Sequence, residues 1–368
     1  MKAIAVVPGT SGLRLVDRAE PHITHPHDVK VKVLRVGICG TDREEASGGR
    51  AASPKGSSEL VIGHEMLGQV VETGNAVTRV KERDCCVLTV RRGCGKCRAC
   101  LMERSDMCET GDYMERGIKG LDGYETEFVV DSEIHAVPVP GELEGVGVLT
   151  EPLSVAEKAI DEALRIQLSR LPGASDGPHW LQGKRCLVAG LGPVGMLAAM
   201  ALRLRGAEVY GTDIVDRATD RPRWLEFIGG KYVDGRAVTP DLVRNELGPA
   251  DLIFEATGVA SLEFNLLDAL ALNGVYVLTG IPGGDRPLQI QGAELIRRLV
   301  LGNQVMTGSV NASRDHFQAA VNDLREATQR WGDHVQKLIT QRFHYPDFEE
   351  AFKHHGADDI KVVIEWAS

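Results

Sequence analysis

Over roughly the first 155 residues, apolar positions come in short runs cut by glycine and proline. "VKVKVLRVGICG" (29–40) alternates valine with charge, the period-two pattern of a half-buried strand. "EMLGQVVETG" (65–74) and "CCVLTV" (85–90) read the same way. This part is predicted to be β-rich. At Lys184 the pattern changes. "RCLVAG" (185–190) is a continuous apolar run, as a strand covered on both faces requires. "LGPVGMLAAMALRLRG" then follows with helical period, and "AEVYGTD" (207–213) reads as a second strand. Further apolar runs stand at "ADLIFEATG", "GVYVLTG" and "NQVMTGSV". Strands alternating with helical stretches predict a parallel sheet with crossover helices, an α/β class. "LSRLPGASDGPHW" (168–180) reads as a polar connector, "DHFQAAVNDLREATQRW" as a late helix and "KVVIEW" as a closing strand.

A length of 368 residues favours two domains over one core. The chain is 43% hydrophobic and 26% charged, which is globular composition. Its net charge of −10 gives no support to a nucleic-acid partner. No apolar run reaches the roughly 18 residues of a membrane helix, so no membrane partner is expected. The opening "MKAIAVVPGTSGLRLVD" does not read as a signal peptide. A cytoplasmic location is expected, and with it reduced thiols.

That location bears on four of the eight cysteines: Cys94, Cys97, Cys100 and Cys108, spaced C-x2-C-x2-C-x7-C. The choice lies between a disulfide staple and a metal knot, and a reducing compartment favours metal. Paired C-x2-C turns aim thiolates at one zinc, and four of them leave no open position. The lobe, about residues 91–112, is therefore expected to hold a structural zinc. Cys85, Cys86 and Cys186 carry no assignment beyond packing.

"GLGPVG" places Gly190, Gly192 and Gly195 in G-x-G-x-x-G spacing, after a buried strand and at the start of a helix. The first glycine turns the chain, the second admits a pyrophosphate, and the third lets helix and strand pack. The helix N-terminus, with Pro193 and Val194 inside the motif, supplies amide donors to phosphate. Asp213 closes the second strand, where a carboxylate accepts ribose hydroxyls. It favours NAD over NADP, although Arg217 and Arg221 nearby leave a phosphate possible. Thr257 is counted with these coenzyme-binding positions.

Three further fragments carry zinc-ligand types: "GICGTD" with Cys39 and Thr41, "GHEMLGQVVETG" with His64 and Glu65, and "LTEPLSV" with Glu151. Taken singly, each has a plain structural reading: a buried thiol, a hydrogen-bonded histidine, a carboxylate at a helix start. Together they suggest an open site with three protein ligands.

These fragments, the cysteine lobe, "EPLSV" and "GLGPVG" resemble, in order and over nearly the whole chain, the zinc-dependent medium-chain alcohol and polyol dehydrogenase superfamily. "TGDYMERGIKGLDGY", "LTEPLSVAEKAIDEAL" and "GSVNAS" are similar to its glucose 1-dehydrogenase branch. The resemblance implies a GroES-like catalytic domain (1–155) with the lobe, a Rossmann doubly wound parallel-sheet domain (184–310), and a return to the catalytic domain (311–368). It implies two zinc ions per chain. Cys39 and His64 would hold the catalytic one, with Glu65 and Glu151 sharing the remaining position directly or through water. Thr41 would relay the substrate proton. Glu115, Glu151 and Asn311 would meet the sugar, and Asn311 also the nicotinamide side. The implied reaction takes hydride from the C1 hydroxyl of an aldose to NAD(P) and yields a lactone. A homotetramer or homodimer is implied as well.

The chain departs from the glucose pattern at Val90, Val155 and Gly302, where the branch often carries polar residues. Each change removes a partner for a hydroxyl, so another sugar, a cyclitol, a polyol or a secondary alcohol stays open. A non-catalytic nucleotide-binding regulator would show a broken ligand set, and a zinc-free reductase of this fold would lack the cysteine lobe.

Overall fold

The computed structural model describes residues 1–172, 177–236, 248–283 and 287–367. They fall into two compact units. The first takes Met1–Ser154, Asn311–Gly356 and Lys361–Ser368; the second takes Val155–Val310 and Ala357–Ile360.

The first unit is built on a seven-stranded sheet. Its spine is the strand Asp28–Ile38, where Val29, Val31 and Val33 are buried and Lys32 is exposed, so the alternation seen in the sequence points valines inward. The alternation breaks at a register shift between Val33 and Arg35, where the strand bulges against Glu65–Thr73. That strand, Phe128–Ser132 and the closing strand Lys361–Glu365 all pair antiparallel with the spine. Met66, Leu88, Tyr124 and Ile364 fill the core beside it. The chain's last strand thus lies next to one of its first. This pairing across more than 300 residues is invisible to local pattern.

The second unit carries a six-stranded, wholly parallel sheet. Numbered in chain order, its strands run 3-2-1-4-5-6, the doubly wound dinucleotide order. Arg185–Ala189 is buried along all but its first residue, as a central strand should be. The helix Pro193–Leu204 starts straight after Gly192, with proline at its first position, where its missing N–H costs nothing. Gly195 lies so close to the turn that a Cβ there would come 1.8 Å from the Gly190 carbonyl oxygen. No helix among the described residues is long and apolar enough to cross a membrane.

The connector at 168–180 differs from expectation. A 21-residue helix, Thr150–Arg170, runs through its first three residues. Arg170 ends it by donating to the carbonyl of Asn303 at 2.6 Å and to that of Asn273. Long-range carbonyl partners, which local polarity does not report, extend the helix. Residues 173–176 lie outside the described residues. Cys85, Cys86 and Cys186 are buried and unpaired, as packing residues would be.

Replacing Gly195 with alanine is expected to lower unfolding stability by about 1–3 kcal/mol, because the helix must lift off its own turn. Urea denaturation of the variant against the parent measures it.

Candidate active site and metal centres

The spine strand ends at Ile38, and Cys39 caps the short helix Gly40–Ala46 that follows. Its thiol accepts the Thr41 N–H at 3.2 Å, and the Asp42 carboxylate accepts the Cys39 N–H at 2.8 Å. This reciprocal capping box fixes the direction of the Cys39 side chain. His64 comes from the turn before the neighbouring strand and sets Nε2 3.3 Å from Cys39 Sγ. Its Nδ1 stands 3.4 Å from Asp42 Oδ1, off hydrogen-bond geometry, so both atoms are buried without a bonded partner.

Glu65 follows on the same strand, opposite Gly37. A Cβ at Gly37 would lie 2.1 Å from Glu65 Oε2, so only glycine leaves room for that carboxylate. Cys39, His64 and Glu65 offer ligand atoms that all lie within 4.8 Å of one another. Glu151, in the first turn of Thr150–Arg170, stands outside this trio but shares its field. Burial pushes its carboxyl up to about 7, and the charges of Glu65 and Asp42 add to the rise while those of His64 and Lys361 oppose it. Burial likewise raises the Cys39 thiol. Glu45, with both oxygens unpartnered, is raised to about 8, again by burial first. The acidic groups of this buried pocket outnumber its one ammonium, that of Lys361, and its thiol, imidazole and carboxylate are zinc donors. The residues fit the metal.

Two participants were not singled out from the sequence: Asp42, which closes "GICGTD", and Lys361. Asp42 stands behind His64, the place of a carboxylate that orients a metal-binding imidazole. Lys361, 1% exposed, donates to Glu65 Oε2 at 2.5 Å and to the Ile38 carbonyl at 3.2 Å. A lysine at the head of the apolar run "KVVIEW" was the one available signal.

The second cluster is the lobe. The four thiol sulfurs of Cys94, Cys97, Cys100 and Cys108 gather within 4.8 Å of one another. Cys94 and Cys100 are 3.9 Å apart. A disulfide needs about 2.05 Å, whereas the edge of a tetrahedron with metal–sulfur bonds of about 2.3 Å is about 3.8 Å. The geometry fits zinc. Backbone N–H groups of Cys97 and Cys100 point at Cys94 and Cys97 sulfurs, an arrangement that favours thiolates. The Cys108 thiol is drawn down to about 6, first by its hydrogen bond with Thr110.

Glu115 and Asn311 meet although 196 positions separate them. Asn311 Nδ2 donates to Glu115 Oε1 at 2.8 Å, and Asn311 sits in the left-handed region with φ 62°. Gly117, two residues beyond Glu115, presses on Gly63, the residue before His64; a Cβ there would be 2.4 Å from the Gly63 oxygen. The Thr41 hydroxyl accepts a hydrogen bond from exposed Arg50 at 3.2 Å.

In the second unit the glycine turn is held from outside the motif. Asp213 Oδ2 accepts the Leu191 N–H at 2.9 Å. Arg221 pairs with the same oxygen at 3.2 Å and donates to the Asp359 carbonyl. Thr257 follows the fourth strand, with its N–H and hydroxyl on the Glu255 carboxylate, and its methyl lies against Gly190. Asp213 and Thr257 stand at the carboxyl ends of parallel strands, where ligands of such sheets bind. Of Val90, Val155 and Gly302, the first is buried, and the last ends the helix Gly292–Leu301.

Comparison with known proteins decides the family. Residues 25–141 match the alcohol dehydrogenase GroES-like domain, and residues 144–366 match the glucose dehydrogenase C-terminus. The chain belongs to the glucose dehydrogenase branch of the zinc-dependent medium-chain dehydrogenases. It is 36% identical to glucose 1-dehydrogenase of Methanocella arvoryzae, over 99% of both chains. Identity to glucose 1-dehydrogenase 2 of Vulcanisaeta moutnovskia is 39%, again over 99% of each. Among solved structures, Haloferax mediterranei glucose dehydrogenase in complex with NADP, zinc and gluconolactone superposes with a TM-score of 0.89 at 32% identity, covering both chains entirely. The GroES-like and Rossmann expectation therefore holds.

Lys361→Met would leave the Glu65 carboxylate buried and alone. Loss of one partner of a buried pair is expected to cost about 3–5 kcal/mol of stability in metal-free protein, measured by chemical denaturation after chelation.

Proposed function

We propose that this protein is a zinc- and NAD(P)-dependent sugar dehydrogenase that oxidises the C1 hydroxyl of an aldose to a lactone. The observation that carries this reading is the convergence of Cys39, His64 and Glu65 in a buried pocket. It stands in a chain collinear with glucose 1-dehydrogenases.

Cys39, His64 and Glu65 would hold the catalytic metal, with Glu151 beside them. A zinc ion there supplies a Lewis acid that makes a hydroxyl more acidic, and the coenzyme supplies the hydride acceptor. The chain's own groups do the rest. Thr41 Oγ1 has one lone pair taken by Arg50, so its O–H is left to donate while another lone pair can accept the substrate's proton. Asp42 stands behind His64, with Oδ1 3.4 Å from Nδ1, where a carboxylate would orient a metal-bound ring. Lys361 holds one oxygen of Glu65. Glu115 and Asn311 present acceptor and donor groups to vicinal hydroxyls.

We favour NAD over NADP. The Asp213 carboxylate ends the second strand, and the arginines near it in sequence are engaged. Arg217 pairs with Glu226, and Arg221 with Asp213 and the Asp359 carbonyl. We assign two zinc ions per chain, the second in the cysteine lobe. A homodimer or homotetramer is supported by the apolar row Ile296, Val300 and Leu301, each more than 60% exposed on the helix Gly292–Leu301. Eight unpaired thiols fit the cytoplasm.

A panel of aldoses, cyclitols and simple alcohols, followed with NAD and with NADP by absorbance of reduced nicotinamide, tests the reading. Aldose turnover with lactone as product is expected, faster with NAD. Turnover of simple alcohols alone would refute the sugar assignment, and a preference for NADP would refute the coenzyme assignment. Metal analysis is expected to give two zinc ions per parent chain and one in Cys97→Ser, with unchanged content in the variant ruling out the lobe site.

A further inference from the structure

Arg91 sits on the short strand Arg91–Arg92, directly opposite Glu115 in an antiparallel pair. It is 6% exposed. Its Nε and Nη2 both donate to Glu115 Oε1, at 3.1 and 3.0 Å. Asn311 Nδ2 donates to that same oxygen. Three donors therefore crowd Oε1. Glu115 Oε2 has no hydrogen-bond partner among the described residues, and it is the oxygen left to accept from a ligand.

The remaining arm of Arg91 goes elsewhere. Nη1 donates to the Asp106 backbone carbonyl at 2.7 Å. Asp106 lies in the lobe between Cys100 and Cys108, and its side chain is held by Arg104 at 2.8 Å. A second tie runs the other way, from the Ser105 hydroxyl to the Arg91 carbonyl at 3.4 Å. The guanidinium is also covered by the Tyr113 ring, 4.0 Å from its centroid, and Lys119 approaches that ring at 4.4 Å. Every nitrogen of Arg91 is thus engaged, and its plane is fixed by an aromatic face.

We propose that Arg91 is a positioning residue for the substrate. It locks one oxygen of Glu115, turns the other toward the sugar, and anchors that carboxylate to the cysteine lobe through the Asp106 carbonyl. The lobe is then more than a clamp on the fold: its folded state is transmitted to substrate affinity through a single side chain. A lysine could supply the charge but not the fork, because one ammonium cannot donate in parallel to Glu115 and reach Asp106 in the same plane. This inference rests on the aldose reading of Glu115.

The test is a mutant cycle on the zinc-loaded enzyme, with D-glucose as probe: parent, Arg91→Lys, Glu115→Gln and the double variant. Arg91→Lys is expected to raise the glucose KM about tenfold, the scale of a lost charge-assisted hydrogen bond, with kcat and the coenzyme KM little changed. The double variant is expected to match Glu115→Gln, since Arg91 acts only through that carboxylate. An unchanged glucose KM in Arg91→Lys overturns the proposal, as do additive penalties in the double variant. A parent enzyme that oxidises no aldose refutes the substrate reading instead. Should Arg91→Lys fail to fold, Tyr113→Leu removes the ring over the guanidinium while leaving every Arg91 hydrogen bond in place. It is then expected to raise the glucose KM about threefold, and an unchanged value overturns the proposal.

Discussion

A buried ammonium holds the candidate metal pocket together. Lys361 is shared between the Glu65 carboxylate and the Ile38 carbonyl, with almost no water to screen it. Those two contacts pin the last strand of the chain to the end of the spine strand, one residue before Cys39. The same ammonium holds one oxygen of a candidate ligand. Removing two charges from water is expensive, and the pair persists because the geometry is close and a carbonyl takes a further donor. The site is therefore completed only when the chain's end has come home.

The pocket around that pair is overloaded with acid. Asp42, Glu45, Glu65, Glu125 and Glu151 are all buried. Glu125 is pushed well above the ordinary carboxylate range by burial, and the Trp366 indole N–H donates to it at 2.7 Å. A fold selected for stability alone would not collect such groups, since each resists losing its water. A cation bound among them would offset that cost. Gly37 belongs to the same logic: the strand gives up a side chain so that Glu65 can lie across it.

Buried arginines tie the segments beside the lobe to one another. Arg92 and Arg116 converge on Asp131, at 2.5 and 2.8 Å, and together draw its carboxyl far below the ordinary range against the cost of burial. Arg91 links the lobe to Glu115. Guanidinium forks impose direction as well as attraction, so the carboxylates they hold keep particular oxygens in place. Apolar contacts, being non-directional, would leave those oxygens free to turn.

The sequence by itself determined the elements whose signal is local. The parallel-strand runs, the glycine turn with its helix, the cysteine spacing and the alternating valines of the spine each follow from chemistry within a few residues. It also named Cys39, His64 and Glu65, because zinc accepts few side-chain types. Tertiary structure alone decided that Lys361 completes the pocket, that Asn311 reaches Glu115, that Asp42 stands behind His64, and that Arg91 is committed to both lobe and carboxylate. It also carried the helix on to Arg170, through carbonyls more than 100 residues away. The reason is physical. A periodic pattern reports which face of an element is buried, whereas a polar side chain's partner is set by which distant backbone arrives beside it, and nothing in its neighbours along the chain encodes that.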